Sequence, residues 1–159
     1  MSKDERDVLE VLRFELEFLE KGGYGRSPRT PWRPQFIFQD SPTCMNYDSM
    51  ANPAPCSECL LLQFVPSASH GEKIPCRHIA LNEAGETIES FYHTGTQPEL
   101  EAAYGSWLRR SIKKLELERA EARPQCVCQP EANTHVAGDT TRHHCHSGEN
   151  RGHDCHHCL

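Results

Sequence analysis

Residues 56–59 read Cys-Ser-Glu-Cys, with Cys44 before them and Cys76-Arg77-His78 after them. A Cys-x2-Cys pair followed by a second cluster is typical of tetrahedral thiolate sites, because each cluster supplies its ligands from one short turn. We therefore expect a closed metal site, and the alternative is that the cysteines are small buried spectators. The expected ligands are Cys44, Cys56, Cys59 and Cys76, with His78 replacing Cys44 in a second version of the site.

The metal expected at this site is zinc. Four protein ligands leave no open position for water, so the site would be structural rather than catalytic. Small domains often recruit zinc to compensate for a thin core, and its binding can contribute on the order of 10 kcal/mol to folding. An iron–sulfur cluster on the same cysteines is the alternative.

The composition limits the class of protein. The chain has 159 residues, of which 36% are apolar, enough for one small domain with an appendage. Its net charge of -6 argues against a nucleic-acid partner, which requires clustered positive charge. The charged N-terminus has no signal peptide, and no stretch is long and apolar enough to span a membrane, so we expect a cytoplasmic protein. Nine cysteines, an odd number, fit a reducing compartment.

Two amphipathic helices are expected. A capping-box pattern at residues 2–5 predicts a helix over residues 2–20, whose leucines recur three and four apart. This helix would pack on the core or pair with a partner, which could be a second copy of the chain. A second capping box at Thr96 and Glu99 predicts a long helix over residues 97–122.

Short apolar runs between the two helices predict β-strands, and residues 82–86 look like a hairpin loop. Cys76 and His78 lie two apart and would face the same side of such a strand. The predicted fold class is therefore α+β, with two helices around a short antiparallel sheet and a Cys-rich metal knuckle. The predicted strands are residues 35–38, 60–65, 74–81 and 87–93.

The composition changes at Pro124. We expect residues 1–123 to form the metal-binding domain and residues 124–159 to be a disordered tail, since the tail has almost no large apolar residues. Its Cys and His side chains suit nickel, copper or zinc, unless the tail has no selected role. These candidate ligands are Cys126, Cys128, His135, His143, His144, Cys145, His146, His153, Cys155, His156, His157 and Cys158.

A segment rich in proline and arginine, residues 24–34, predicts an extended arm that presents Trp32, Arg29 and Arg33 to a partner. The alternative is a surface connector whose Trp32 packs on its own domain. No catalytic pattern is found. Zinc nucleobase deaminases carry a His-x-Glu motif followed by a Pro-Cys-x2-Cys motif. In this chain the two motifs occur in the reverse order, since His70-Gly71-Glu72 follows Cys56–Cys59, so we do not expect an enzyme.

Residues 18–32, Phe-Leu-Glu-Lys-Gly-Gly-Tyr-Gly-Arg-Ser-Pro-Arg-Thr-Pro-Trp, and less clearly the region of residues 56–59, resemble small accessory proteins encoded beside high-affinity nickel–iron hydrogenases. The resemblance implies a non-enzymatic accessory or scaffold subunit of such a hydrogenase. It assigns no functional residue, and the Cys/His-rich tail departs from it. The alternative expectation is a metallochaperone or metal-storage protein that acts through that tail.

Overall fold

Helices and turns make up the computed structural model, which describes residues 4–25, 35–49 and 51–122. All of these residues belong to one unit, Met1–Pro124. The described α-helices are α1 (Val8–Glu20), α2 (Ile88–Thr94) and α3 (Gln97–Glu121). The described residues between α1 and α2 form turns and short 3₁₀ segments, which are Cys56–Glu58, Leu60–Phe64, Ser67–Ser69 and Pro75–His78.

Helix α1 begins later than the sequence predicts. The Asp7 carboxylate accepts hydrogen bonds from the backbone N–H groups of Leu9 and Glu10, at 2.7 and 3.2 Å, and so caps the helix at Val8. The expected start at residue 2 is wrong for this reason. The predicted end at Glu20 is confirmed, with Gly22 in the left-handed region at a φ of 75°.

Helix α3 forms where its capping box predicts. The Thr96 N–H donates to the Glu99 carboxylate at 2.8 Å, and the Glu99 N–H donates back to the Thr96 hydroxyl at 3.4 Å. Without these bonds, both backbone N–H groups would have no hydrogen-bond acceptor within the first turn of the helix. The prediction of a long C-terminal helix is confirmed.

The predicted antiparallel sheet, and with it the α+β class, is wrong. No strand is present in the described residues, and the only β pairing there is a single antiparallel bridge between Ala80 and Thr87. The predicted strand at 60–65 is the 3₁₀ segment Leu60–Phe64, and the one at 87–93 is α2. A reciprocal cap between Thr87 and Ser90 starts α2, and this local signal overrides the apolar run.

Residues 35–38, also predicted as a strand, run into a tight turn. Phe38 has a φ of 61° and is 1% exposed, a conformation that side chains other than glycine seldom adopt. Its ring packs edge-on against Tyr104 and Trp107 of α3, and its N–H donates to the Tyr24 hydroxyl at 3.0 Å. These contacts hold the turn on the core and place the following residues, up to Cys44, beside it.

The core lies between α1, α3 and the turns that connect them. Helix α1 packs inward through Leu12, so the core interpretation of its apolar stripe is confirmed, while Phe14 remains 44% exposed. The most deeply buried members of the core are apolar or aromatic. They include Leu12, Tyr24, Ile37, Phe38, Ile79, Leu81, Ile88, Leu100, Tyr104 and Leu108, each at most 2% exposed.

Three ion pairs join α1 and α3 along their exposed edges. Their partners run in opposite directions along the two helices, so the helices pack antiparallel. The pairs are Asp7–Arg119, Arg13–Glu116 and Glu20–Arg109, with N···O distances of 2.8, 2.7 and 2.8 Å.

Replacing Asp7 with asparagine should destabilise the fold near neutral pH and have less effect as the pH falls. A hydrogen bond from Arg119, followed by one from the Glu10 N–H, lowers the pKa of Asp7 from 3.8 to about 2. A carboxyl group with a lowered folded pKa contributes stability above its unfolded pKa, and that contribution disappears as the pH falls from 3.8 to about 2. Urea titrations across this pH range measure the effect.

Asparagine is also a good N-cap, so Asp7→Asn removes charge while retaining the cap acceptor. Arg119→Gln is the matched variant, and adding it to Asp7→Asn should cost little more. A loss of stability that is equal at pH 7 and at pH 2 would contradict the assignment of the effect to this ion pair.

Candidate metal centre

The four cysteines of the body border one cavity of about 30 Å³. Each is a free, half-buried thiol. They come from three separate turns, one that contains Cys44, one that contains Cys56 and Cys59, and one that contains Cys76. The rest of the lining is mainly apolar and consists of Phe38, Met45, Asn46, Leu61, Leu62 and Pro75.

Backbone hydrogen bonds shape the turns that carry the thiols. The Cys44 N–H donates to the Ser41 carbonyl at 3.0 Å, and the Cys59 N–H donates to the Cys56 carbonyl at 3.2 Å. The Asn46 side chain binds both the N–H and the C=O of Ala54, at 2.8 and 2.9 Å. Asn46 therefore fixes the Cys44 turn to the segment that leads into Cys56.

Asp4 and Arg6 form a second link between the same two turns. The Asp4 N–H donates to the Glu58 carbonyl at 3.1 Å, and the Asp4 carboxylate accepts from the Leu60 N–H at 3.3 Å. Arg6 donates to the Thr43 carbonyl at 2.8 Å and to the Asp4 carboxylate at 2.8 and 2.7 Å. Residues that the sequence assigned to helix α1 thus hold the cysteine-bearing turns together.

Burial favours the protonated form of the Cys56, Cys59 and Cys76 thiols. Burial, followed by the neighbouring Cys44, Cys56 and Cys59, raises the pKa of Cys76 to about 12. Burial also raises the pKa of Cys56 and of Cys59. A raised pKa is the opposite of what activates a nucleophilic cysteine. A metal ion that binds here would displace protons from these groups.

His78 lies outside the set of residues that line the cavity. It ends the 3₁₀ segment Pro75–His78, in which residues two apart point in different directions, so it does not share a strand face with Cys76. In the part of the chain that the structure describes, no three His, Cys, Asp or Glu side chains are arranged to hold a metal ion as they stand. The four thiols border a shared space without meeting at one point.

A buried carboxylate lies on the other side of the Cys44 turn. Glu15 of α1 is fully buried, an environment in which a glutamate is seldom found unless it is paired. Each of its oxygens accepts two hydrogen bonds from hydroxyl groups. The donors are Ser41 and Thr43 to Oε1, and Tyr24 and Tyr104 to Oε2, the last two at 2.7 and 2.8 Å.

This network connects the Cys44 turn to both long helices. Ser41 and Thr43 lie three residues and one residue before Cys44, whereas Tyr104 belongs to α3. Burial, followed by the negative charge of Glu15, raises the pKa of Tyr24 and of Tyr104, so both remain donors. Tyr24 is 2% exposed and is therefore not part of an outward-facing arm, contrary to expectation.

The spacing of residues in α1 does indicate that Glu15 is buried. Position 15 follows Leu12 by three and precedes Leu19 by four, so it falls on the apolar stripe of α1. A carboxylate on such a stripe requires buried donors. No local pattern indicates which hydroxyl groups supply them, since the nearest in the chain, that of Tyr24, is nine residues away.

The other expected site residues lie outside the described residues. Among them are the arm residues Arg29, Trp32 and Arg33. The tail candidates are also outside, namely Cys126, Cys128, His135, His143, His144, Cys145, His146, His153, Cys155, His156, His157 and Cys158.

Comparison with protein-family models, with curated proteins and with solved structures found no match to this chain. Across residues 4–25, 35–49 and 51–122, none of the helices has the length and apolar character needed to cross a membrane.

Proposed function

We propose that the chain is a non-enzymatic, metal-binding accessory subunit whose body holds a thiolate-ligated metal centre. The observation that supports this is the shared cavity of Cys44, Cys56, Cys59 and Cys76, which three separate turns bring to one place. Four cysteines are the donor set of structural zinc sites and of iron–sulfur clusters. Either centre would connect turns that have little regular structure of their own.

The residues around the cavity suit such a centre. Four thiolates around a divalent ion carry a net negative charge, and Arg6 is close enough to Cys59 and Cys44 for their charges to raise its pKa, after the larger effect of Asp4. The Asp4 side chain is 3% exposed and the Arg6 side chain is 39% exposed, so the guanidinium of Arg6 remains in contact with water. Arg6 would partly compensate the charge of the bound centre.

The tail supplies a second candidate function, that of a metallochaperone or metal store. It carries five cysteines and seven histidines in residues 124–159, which suit nickel, copper or zinc. In this second function, the tail binds the metal and the domain of residues 1–123 serves only as its attachment.

Protein that ends at Arg123 should retain one metal centre per chain and lose any metal bound by the tail. The cavity residues all precede Arg123, and the unit that contains them ends at Pro124. The full chain should bind additional nickel, zinc or copper, and this extra binding should weaken as the pH falls through the histidine range, because protons compete for imidazole. Elemental analysis of both forms after dialysis measures the difference.

Equal metal content in the two forms would contradict the tail as a binding segment. A body that loses its centre on truncation would place the metal in the tail alone. In that case the storage function is the better account.

The accessory role implies a larger partner in the cytoplasm, and the resemblance of residues 18–32 points to a nickel–iron hydrogenase. Replacing Trp32 and Arg33 with alanine should weaken copurification with that partner several-fold and leave the metal content unchanged, since tryptophan and arginine are frequent interface hot spots. Lys73→Ala and Glu72→Ala, in the loop at residues 66–73, make a matched pair of controls. Pull-down from the native host with mass spectrometry measures the association.

If the native protein has no partner at its natural abundance, the accessory role is wrong. If the Trp32 and Arg33 variant binds its partner as well as the controls do, the interface lies elsewhere on the chain.

A further inference from the structure

We infer that an open cleft beside the Cys44 turn is a binding site for an arginine side chain of a partner protein. The cleft has a volume of about 620 Å³, which lies within the range of sites that hold small ligands. The inference requires no bound metal, so it and the proposed function can fail independently.

The charged groups of the cleft favour a cation. Asp40 and Asp48 supply carboxylates, and no lysine, arginine or histidine is among the described residues that line it. One oxygen of Asp40 accepts a hydrogen bond from the Phe36 N–H at 2.7 Å, which fixes this carboxylate in the wall. Asp48 is exposed and is the carboxylate that a ligand would meet.

The aromatic rings of the cleft favour a guanidinium over an ammonium group. Phe36 and Tyr47 both line the cleft, and Tyr47 is 44% exposed. A guanidinium group is planar, stacks on aromatic faces and presents its donors in a fixed fork, whereas an ammonium group is compact and strongly hydrated. An exposed ring beside Asp48, with the side-chain amide of Gln35 in the same lining, therefore suits arginine better than lysine.

The chain holds one of its own arginines with the same kinds of group. The guanidinium carbon of Arg77 lies 4.6 Å from the centre of the Phe36 ring and 5.3 Å from that of Tyr92. Arg77 also donates to the side-chain oxygen of Gln39 at 2.7 Å and to the Glu89 carboxylate at 3.3 Å, so its charge is paired. The cleft offers a second set of these groups, which are a ring, an amide and a carboxylate.

Hydrogen bonds fix the wall of the cleft that faces the cysteines. The Asn46 side chain, which lines the cleft, is bound to both the N–H and the C=O of Ala54. The Tyr47 N–H donates to the Cys44 carbonyl at 3.1 Å. A preformed site loses less conformational entropy on binding, so even a single side chain can bind measurably.

The test is an amide NMR titration of the full chain with the peptide acetyl-Gly-Arg-Gly-amide, at about 0.15 M salt to screen distant charges. We expect saturable shifts at the backbone amides of Tyr47 and Asp48 and at the side-chain amide of Gln35. The same peptide with citrulline, which has the shape of arginine without its charge, should bind about fivefold more weakly. The lysine peptide should also bind more weakly, since it has the charge without the planar fork.

Full-length variants assign the binding to the cleft. Asp48→Asn and Tyr47→Leu should each weaken binding of the arginine peptide about fivefold, whereas Tyr47→Phe should retain it. Glu83→Gln is the matched control for Asp48→Asn, since Glu83 is an exposed carboxylate that does not line the cleft. Because all three positions are exposed, circular dichroism should show that every variant folds like the wild type.

An absence of saturable binding, or equal affinity for the arginine peptide and either of its two counterparts, would overturn the inference. An Asp48→Asn chain that binds the arginine peptide as well as the Glu83→Gln chain does would also overturn it. If binding appears only after Arg26, Arg29 and Arg33 are replaced with glutamine, the chain's own arginines occupy the cleft and a partner site is wrong. None of these results bears on the metal content of the cysteine cavity, which tests the proposed function.

Discussion

Replacing Cys56 and Cys59 with serine is expected to remove the body metal centre and to unfold much of the domain at ordinary temperature. The metal centre would connect turns that have only 3₁₀ segments and loop hydrogen bonds of their own. Binding of a structural metal can be worth on the order of 10 kcal/mol, comparable to the entire stability of a small domain. Metal analysis, circular dichroism and urea titration of the purified variant measure the effect.

Cys126→Ser with Cys128→Ser is the matched control, since it removes two cysteines of the tail that are not among the expected ligands of the body site. It should leave the midpoint of unfolding unchanged. A Cys56/Cys59 variant that is as stable as the control would show that the four thiols are buried spectators in the folded domain.

Replacing Glu15 with leucine should cost on the order of 3–5 kcal/mol, the range for breaking a buried polar network. The substitution leaves four hydroxyl groups without their acceptor, and each buried unsatisfied donor costs about 1–3 kcal/mol. Two of the donors precede Cys44, so metal affinity should fall as well. Urea unfolding and competition with a chelator measure the two effects separately.

Glu17→Leu is the control, since Glu17 lies on the exposed side of α1 with 61% of its side chain exposed. It should change stability by at most about 0.5 kcal/mol. Glu15→Gln retains one acceptor oxygen, so its free energy of unfolding should lie between those of Glu15→Leu and Glu17→Leu. A Glu15→Leu protein as stable as the control would mean that the hydroxyl groups find other partners.

The parts of the fold that the sequence predicts are those encoded by neighbouring residues. Helix α3 is one example, because Thr96 and Glu99 satisfy each other's backbone amides within a single turn. The end of α1 near Gly22 is another. A cap or a glycine stop needs no information from distant parts of the chain.

The errors lie where a short apolar run could form either of two structures. Residues 60–65 and 87–93 have the length and composition of strands, yet they form a 3₁₀ segment and α2. Periodicity cannot separate these states in so few residues. For α2, the capping pattern of Thr87 and Ser90 is a better signal than the apolar run. The start of α1 is also set by a local cap, since the helix begins after Asp7 and not at the capping-box pattern of residues 2–5.

The candidate site divides in the same way. The Cys-x2-Cys spacing pointed to four cysteines that the structure brings to one cavity, whereas the role of His78 depended on a strand that does not form. The contacts of Asp4, Arg6 and Glu15 join residues that are far apart in the chain, as in the Tyr104–Glu15 bond across 89 positions. No local pattern encodes such a contact.

The antiparallel pairing of α1 and α3 has a consequence for how the domain assembles. The two helices lie at opposite ends of the described chain, and Asp7–Arg119 joins residues 112 positions apart. Their docking therefore closes one long loop, and every cysteine of the cavity lies inside it. Closing such a loop has an entropic cost that grows slowly with its length, and most of it is incurred before other contacts can form. A centre bound by the cysteines would shorten that loop from within, so helix docking and metal capture should each increase the equilibrium constant of the other.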